Sequence, residues 1–229
     1  MRAGKLSAAR YQADVQAFMS TFQVTPYALR HSTMHSVIPE CIGQPGGGCA
    51  PYSKTLGLTQ QPQENYYYCG PATASEVLRA LGLSNSQDSV AGSLETTTNG
   101  TPWYDGSKYP MASTLNAMQG NLYYAPLNGG FSTSTYSNDL VQDMAFGQPI
   151  AGNVVENAGG VHLRGHPQGY TIYHWIAIYG YTNYGNDTSY ADSVANAPSI
   201  WFYQSVVPYN SGYSNGDMTT LLSGRGMVW

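Results

Sequence analysis

Residues 65–78, "NYYYCGPATASEVL", decide the fold, because they place a cysteine where an extended segment turns into a helix. An apolar stripe at helical spacing follows the cysteine, made of Ala74, Val77, Leu78 and Leu81. Gly82 comes next, where a glycine can end a helix in the left-handed conformation. Pro71 is compatible with a first helical turn, in which its missing N–H is not needed. The pattern predicts a helix that begins at or just after Cys69.

The position of Cys69 favours a reactive thiol. The start of a helix presents unpaired N–H groups and the positive end of the helix dipole, and both stabilise a thiolate. A nucleophilic cysteine also needs a base, a group that orients the base and donors for the oxyanion. Each of these must come from elsewhere in the chain.

The other two cysteines, Cys41 and Cys49, enclose a Gly/Pro-rich loop, "CIGQPGGGC". So short a loop can bring the two sulfurs together, and we predict a disulfide between them. A disulfide indicates an oxidising compartment. The alternative is a pair of free thiols in a reducing cytosol, and a zinc site has less support because no third ligand is obvious.

Composition limits the classes of function. The chain has 229 residues, 9 Lys+Arg against 13 Asp+Glu, and a formal net charge of -4. We expect one domain and no nucleic-acid partner, since a basic surface is missing. No stretch approaches the ~20 apolar residues of a membrane span, so we expect no membrane insertion. The opening residues lack the apolar core of a signal peptide, so we expect the mature or trimmed form of an exported protein.

The order of predicted elements favours an α+β fold. Helices are predicted over residues 8–22, 70–81, 110–119 and 137–146, the last with Ser137 or Asn138 as its cap. Strands are predicted to start at Asn121, Pro149, His174, Thr188 and Ser199. An antiparallel sheet from the second half would pack against helices mainly from the first half. We divide the chain into an N-terminal arm, residues 1–58, and a catalytic core, residues 59–229; the arm is either an inhibitory pro-segment or an integral extension.

Polar residues near the predicted strands supply the missing catalytic groups. His174 begins an apolar strand, which could aim its ring at Cys69, and is the candidate base. Asp192 on the following strand is the candidate that orients His174, with Asp187, Asn183 and Asn186 as rivals in the intervening loop. Gln63, six residues before Cys69, is the candidate oxyanion donor together with the Cys69 N–H. Gln60 and Gln61 are its nearby rivals.

These residues resemble a known family. Gln63, Cys69 followed by "GPA", His174 in "HWIAIYGY" and Asp192 in "YADS" are similar to the signature of papain-like cysteine peptidases, in particular the double-glycine (bacteriocin-processing) peptidase family and its exported single-domain bacterial relatives. The resemblance spans about residues 58–229. It implies a papain-like fold and a Cys-His-Asp triad with a glutamine in the oxyanion hole. The chain departs from the family in having no exporter segment and in having Ser193, where many relatives have proline.

The resulting expectation is a secreted hydrolase of peptide or isopeptide bonds that needs no cofactor and no metal. Its partner would be a peptide or protein substrate, and a monomer is favoured. The alternatives are an acyltransferase or amidase of transglutaminase or deamidase type, and a catalytically silent binding protein. The histidine pairs His31/His35 and His162/His166 have a spacing that could hold a metal, but the glutamate of a metalloprotease is missing. Trp103, Trp175 and tyrosines 66–68 are candidates for the wall of a substrate groove.

Overall fold

The structure is a computed structural model that describes residues 42–45, 47–202 and 210–229. The predicted helix at residues 8–22, the pair His31/His35 and Cys41 lie outside the described residues. The disulfide between Cys41 and Cys49 and the role of the N-terminal arm therefore stay predictions.

The described residues form a mixed structure of helices and an antiparallel sheet. The helices are α1 (Cys69–Ala80), α2 (Gln87–Ala91), α3 (Pro110–Gln119), α4 (Thr133–Phe146) and α5 (Asn215–Leu222). The strands are β1 (Lys54–Thr55), β2 (Pro126–Asn128), β3 (Ile150–Glu156), β4 (Ile172–Thr182), β5 (Asp187–Ala191), β6 (Asn210–Ser214) and β7 (Gly226–Val228). Among the described residues, no helix is long and apolar enough to cross a bilayer.

The sheet has the strand order β2-β7-β3-β4-β5-β6, with β1 paired to β4, and all its pairings are antiparallel. Apolar side chains of β4 alternate between the two faces. Trp175 and Ala177 join the buried cluster that contains α1 and α3, while Ile176 and Ile178 join the cluster that contains α4 and α5. The sheet is therefore covered by helices on both faces, which explains the nearly continuous apolar run of β4.

The β4–β5 hairpin decides where the polar residues lie. Ala177 pairs with Ala191, so Asp192 emerges beside the part of β4 that carries His174. The three rivals of Asp192 lie at the other end of this hairpin, where Asn183 and Asn186 belong to the turn and Asp187 opens β5. The register thus separates Asp192 from its rivals by the length of a strand.

The α+β prediction is confirmed, with differences in particular elements. Helix α1 starts at Cys69, with Pro71 at its third position, and Gly82 has the expected positive φ of 80°. Helix α4 starts earlier than predicted, since Ser132 rather than Ser137 or Asn138 caps it by accepting the Thr135 N–H. The strand predicted from Ser199 is wrong over residues 199–202, which form turns and bends. The strand predicted from Asn121 is limited to Pro126–Asn128.

Candidate active site

Cys69 is the first residue of α1, a free thiol that lies partly exposed at the floor of a cleft. No side chain caps this helix, so the sulfur is placed beside open backbone N–H groups. The Gly70 and Trp175 backbone N–H groups lie near the sulfur and lower the pKa of the Cys69 thiol. Glycine is required at position 70 because the start of α1 packs closely against Thr101, and a Cβ at Gly70 would lie 2.0 Å from the Thr101 Oγ1.

His174 and Asp192 stand next to Cys69 in a buried chain of contacts. The His174 ring lies beside the Cys69 sulfur and interacts with it, and the ring Nε2 lies 3.0 Å from Asp192 Oδ1. Since Nε2 faces the carboxylate, Nδ1 is the nitrogen that faces the sulfur. Asp192 Oδ1 also accepts the Val194 N–H at 2.9 Å. The structure therefore brings together the three residues that the sequence predicts as nucleophile, base and orienting group.

Electrostatics favour an ion pair between the sulfur and the ring. Burial raises the pKa of the Cys69 thiol, but the hydrogen bond and charge of His174 outweigh burial and lower this pKa overall. Burial lowers the pKa of His174, but the Asp192 charge and the hydrogen bonds to Asp192 and Cys69 raise it well above its ordinary value. Both shifts therefore favour the thiolate–imidazolium pair over the neutral thiol and imidazole.

Asp192 also faces a second histidine. Its Oδ2 lies 3.0 Å from His166 Nε2, outside the angular range of a good hydrogen bond. His166 Nδ1 lies 2.8 Å from Glu156 Oε1, and Glu156 Oε2 accepts the Leu163 N–H at 3.1 Å. The side chains of His166 and Glu156 are fully buried. Asp192 therefore lies between two imidazole rings.

In the part of the chain that the structure describes, one group of side chains has the spacing to hold a metal ion. Donor atoms of His166, His174 and Asp192 lie within 4.8 Å of one another. The contacts with Cys69 and Glu156 account for these atoms as members of a hydrogen-bonded and ion-paired chain. His162 does not join them, since its nitrogens lie 3.1 Å from the Gly160 carbonyl and 2.8 Å from the Tyr170 carbonyl.

Gln63 is the glutamine that reaches the cleft. It is buried and lines the same cavity as Cys69 and His174. Its Nε2 donates one hydrogen to the Asn65 carbonyl at 2.8 Å, which leaves the second hydrogen available. Its Oε1 accepts from the Ser193 hydroxyl at 3.3 Å, and its N–H donates to the Ser193 carbonyl at 2.8 Å.

The rivals of Gln63 have structural contacts instead. Gln60 Nε2 donates to the Asp192 and Ala195 carbonyls at 2.9 and 3.1 Å, and Gln61 Nε2 lies 3.5 Å from the Ser75 hydroxyl. Segment 60–63 is therefore tied to the segment that follows β5. One set of backbone and side-chain bonds holds both the candidate oxyanion donor and the candidate orienting carboxylate.

Two cavities of different chemistry meet at Cys69 and His174. The aromatic cavity, of about 360 Å³, is lined beyond the catalytic residues mostly by aromatic and aliphatic side chains: Tyr66, Tyr170, Ile172, Tyr173, Val194, Ile200, Trp201 and Phe202. The arginine cavity, of about 350 Å³, is more polar and is lined by Asn99, Thr101, Trp103, Tyr104, Asn153, Tyr173, Trp175 and Arg225. Tyr173 borders both cavities, and Arg225 stacks 5.2 Å from the centre of its ring. Of the aromatic residues predicted to line a groove, Tyr66, Trp103 and Trp175 do so.

Sequence reasoning missed the second half of the buried chain. The sequence suggests His166 as a candidate metal ligand paired with His162, and it predicts no catalytic role for His166 or Glu156. The signal available in the sequence was Glu156 itself, a carboxylate directly after the apolar strand predicted from Pro149, in a segment with few charges. Glu76 was also missed; it lies buried on α1, its Oε1 accepts the Gln61 N–H at 2.7 Å, and burial raises its pKa to about 8.

Comparisons with known proteins identify similar chains. The model of the Peptidase_C39 like family matches residues 55–206. Among solved structures, the chain is similar to a protein from Bacillus anthracis described as a C39-like peptidase, with a TM-score of 0.51 and 10% identity over 78% of this chain and 97% of that chain. It is also similar to the peptidase domain of Streptococcus ComA, a bifunctional ABC transporter involved in a quorum-sensing pathway, with a TM-score of 0.45 and 17% identity over 77% of this chain and 96% of that chain. No curated protein matches. The first of these structures shows a shared fold.

Proposed function

Since the chain belongs to the Peptidase_C39 like family, a family of cysteine peptidases, we propose that it hydrolyses peptide bonds with Cys69 as its nucleophile. The contact chain from Cys69 through His174 to Asp192 is the observation that carries the proposal. The residues stand in the order that covalent catalysis requires, with the nucleophile beside a base and the base beside an orienting group. We also propose that the protein is secreted.

In the first half of the reaction, the Cys69 thiolate adds to the carbonyl carbon of the substrate. The negative charge moves to the carbonyl oxygen, which accepts hydrogen bonds from the Cys69 N–H and from the Gln63 amide. The tetrahedral species then breaks its C–N bond. The His174 Nδ1 proton passes to the leaving amine, and a thioester on Cys69 remains.

In the second half, neutral His174 takes a proton from a water molecule that attacks the thioester. The C–S bond breaks, the acid leaves, and the thiolate–imidazolium pair is restored. Asp192 keeps its negative charge throughout and stabilises His174 whenever the ring is protonated. Every group in the cycle belongs to this chain, apart from substrate and water.

The proposal is tested by incubating a peptide library with the protein and with Cys69→Ala, followed by mass spectrometry of the products. New peptide termini that appear with the wild-type protein and not with Cys69→Ala support hydrolysis. Identical peptide mixtures from both proteins would contradict it. A primary amine added to the same reactions separates hydrolysis from acyl transfer, because transfer adds the mass of the amine to the products.

A further inference from the structure

We infer that His166 and Glu156 form a positioning pair for the reaction, in which a protonated His166 fixes the Asp192 carboxylate that orients His174. The inference extends the proposed function, because it adds two buried residues to the three that act at the cleft. It concerns positioning only, since neither His166 nor Glu156 is among the described residues that line the two cavities.

The first argument is geometric continuity. Five titratable side chains follow one another by direct contact, in the order Cys69, His174, Asp192, His166 and Glu156. The two oxygens of Asp192 are divided between the two rings, Oδ1 with His174 and Oδ2 with His166, each at 3.0 Å. A carboxylate contacted at both oxygens has less freedom to rotate than one held at a single oxygen.

The second argument is a count of protons on His166. Each of its ring nitrogens faces a carboxylate oxygen, Glu156 at 2.8 Å and Asp192 at 3.0 Å. A neutral imidazole carries one N–H, so it would turn a lone pair towards one of the two carboxylates in a fully buried site. Only the imidazolium carries an N–H at both nitrogens, so that it makes a hydrogen bond to Glu156 and an ion-pair contact with Asp192. Although burial lowers the pKa of His166, its bonds to Asp192 and Glu156 raise it overall, in agreement with this count.

The third argument is charge balance. His166 and His174 have ring centres 5.5 Å apart, and two imidazolium ions on one carboxylate would repel each other. Glu156 supplies the second negative charge, so the pair His166–Glu156 is neutral as a unit. Three other titratable groups interact with the chain: Glu76 with Asp192 and His174, Tyr190 with Asp192, and Tyr213 with Glu156. Burial raises the pKa of all three, which favours their neutral forms, and the uncharged Phe202 ring lies 5.0 Å from the His166 ring. The His166–Glu156 pair therefore holds Asp192 without neutralising its negative charge.

A purely structural alternative exists, in which Glu156 merely anchors loop 161–166 through the Leu163 N–H and the His166 ring. His162 provides the matched control for this alternative. It lies in the same loop and is equally buried, but both its nitrogens contact backbone carbonyls rather than the catalytic chain. Loss of loop anchoring affects His162→Gln and His166→Gln alike, whereas loss of Asp192 positioning affects only His166→Gln.

The kinetic test compares His166→Gln, His166→Leu and His162→Gln. We expect His166→Leu to lower kcat by about 10- to 100-fold with KM nearly unchanged, because a small misplacement of a catalytic group has effects of this size. Gln can still donate to Asp192, so His166→Gln should recover part of the loss. His162→Gln should keep a kcat close to the wild-type value. Equal losses of kcat in the two glutamine variants, or a wild-type kcat in folded His166→Leu, would overturn the inference.

Two further measurements do not depend on hydrolysis, and the first of them needs no variant. Nitrogen-15 spectra of the wild-type protein should show protons on both ring nitrogens of His166 at about pH 7, and a neutral ring there would overturn the inference. Alkylation of Cys69 by iodoacetamide at this pH should slow in folded His166→Leu and not in His162→Gln. If the library shows no hydrolysis but alkylation slows as expected, the positioning pair stands and the peptidase proposal fails.

Discussion

Cys69 and His174 each change the proton affinity of the other, and this sets the pH range in which the protein can act. The pKa of Cys69 is lowered and that of His174 is raised, and both shifts favour the reactive ion pair over the neutral pair. The ion pair forms as pH rises through the lowered thiol pKa and is lost as pH rises through the raised imidazole pKa. We expect an activity range that begins below the ordinary thiol pKa and extends above the ordinary imidazole pKa.

The role of Gln63 is testable against its neighbours. Gln63→Ala should lower kcat by roughly 100- to 1,000-fold, because an oxyanion donor acts mainly in the transition state. Gln61→Ala is the control, since its side chain only approaches Ser75 at 3.5 Å and does not line the cleft among the described residues. Steady-state kinetics of the wild-type protein and both variants on one peptide substrate measure this difference. If both variants keep the wild-type kcat, Gln63 is not an oxyanion donor.

Helix α1 carries a buried carboxyl group whose proton binding affects stability. Burial raises the pKa of Glu76 to about 8, above its usual 4.5. Between these values the folded state keeps a proton that the unfolded chain has lost, so stability falls as pH rises. Relative to Glu76→Gln, the wild-type free energy of unfolding should fall by up to ~1.4 kcal/mol per pH unit in this range. Urea unfolding at several pH values tests this, and parallel pH dependences in the two proteins would contradict it.

The start of α1 also depends on the absence of a side chain at Gly70. Gly70→Ala should lower stability by about 1–3 kcal/mol, because the added Cβ would overlap the Thr101 side chain. Gly216→Ala is the matched control: Gly216 is likewise the second residue of a helix, but a Cβ there would meet nothing closer than 3.9 Å. Alanine at Gly216 should be neutral or stabilising by up to ~1 kcal/mol. Thermal unfolding that affects both variants equally would contradict the close approach of α1 and Thr101.

Among the helices and strands, the sequence predicts those that are long enough to show a periodic pattern of apolar residues. Strand β4 and helix α1 were found because β-branched and aromatic runs or helical stripes mark them clearly. The short elements β1, β6, β7, α2 and α5 were not predicted, since stretches of two to eight residues are too short to show a clear period. The contact of His166 with Asp192 was also beyond prediction, because it depends on how two loops fold back on β3 and β5.

At the scale of the molecule, the cleft at Cys69 has two chemically different sides, and this difference predicts which residues flank the scissile bond. A substrate that crosses Cys69 meets the aromatic cavity on one side and the arginine cavity on the other. We expect large apolar residues on one side of the scissile bond and an acidic residue on the other. Arg225→Gln should weaken the preference for Glu over Gln in paired peptides by about 2- to 5-fold, since Arg225 is partly exposed. An unchanged preference, insensitive to salt, would contradict a role for Arg225.

The central claim is that Cys69 is a thiolate held by His174. The most direct measurement is the rate of Cys69 alkylation by iodoacetamide across the pH range, in the wild-type protein and in His174→Gln. The account predicts fast alkylation in the wild-type protein well below the ordinary thiol pKa, and a shift of the profile to higher pH in His174→Gln. Superimposable profiles, both rising at the pKa of an ordinary thiol, would contradict the account.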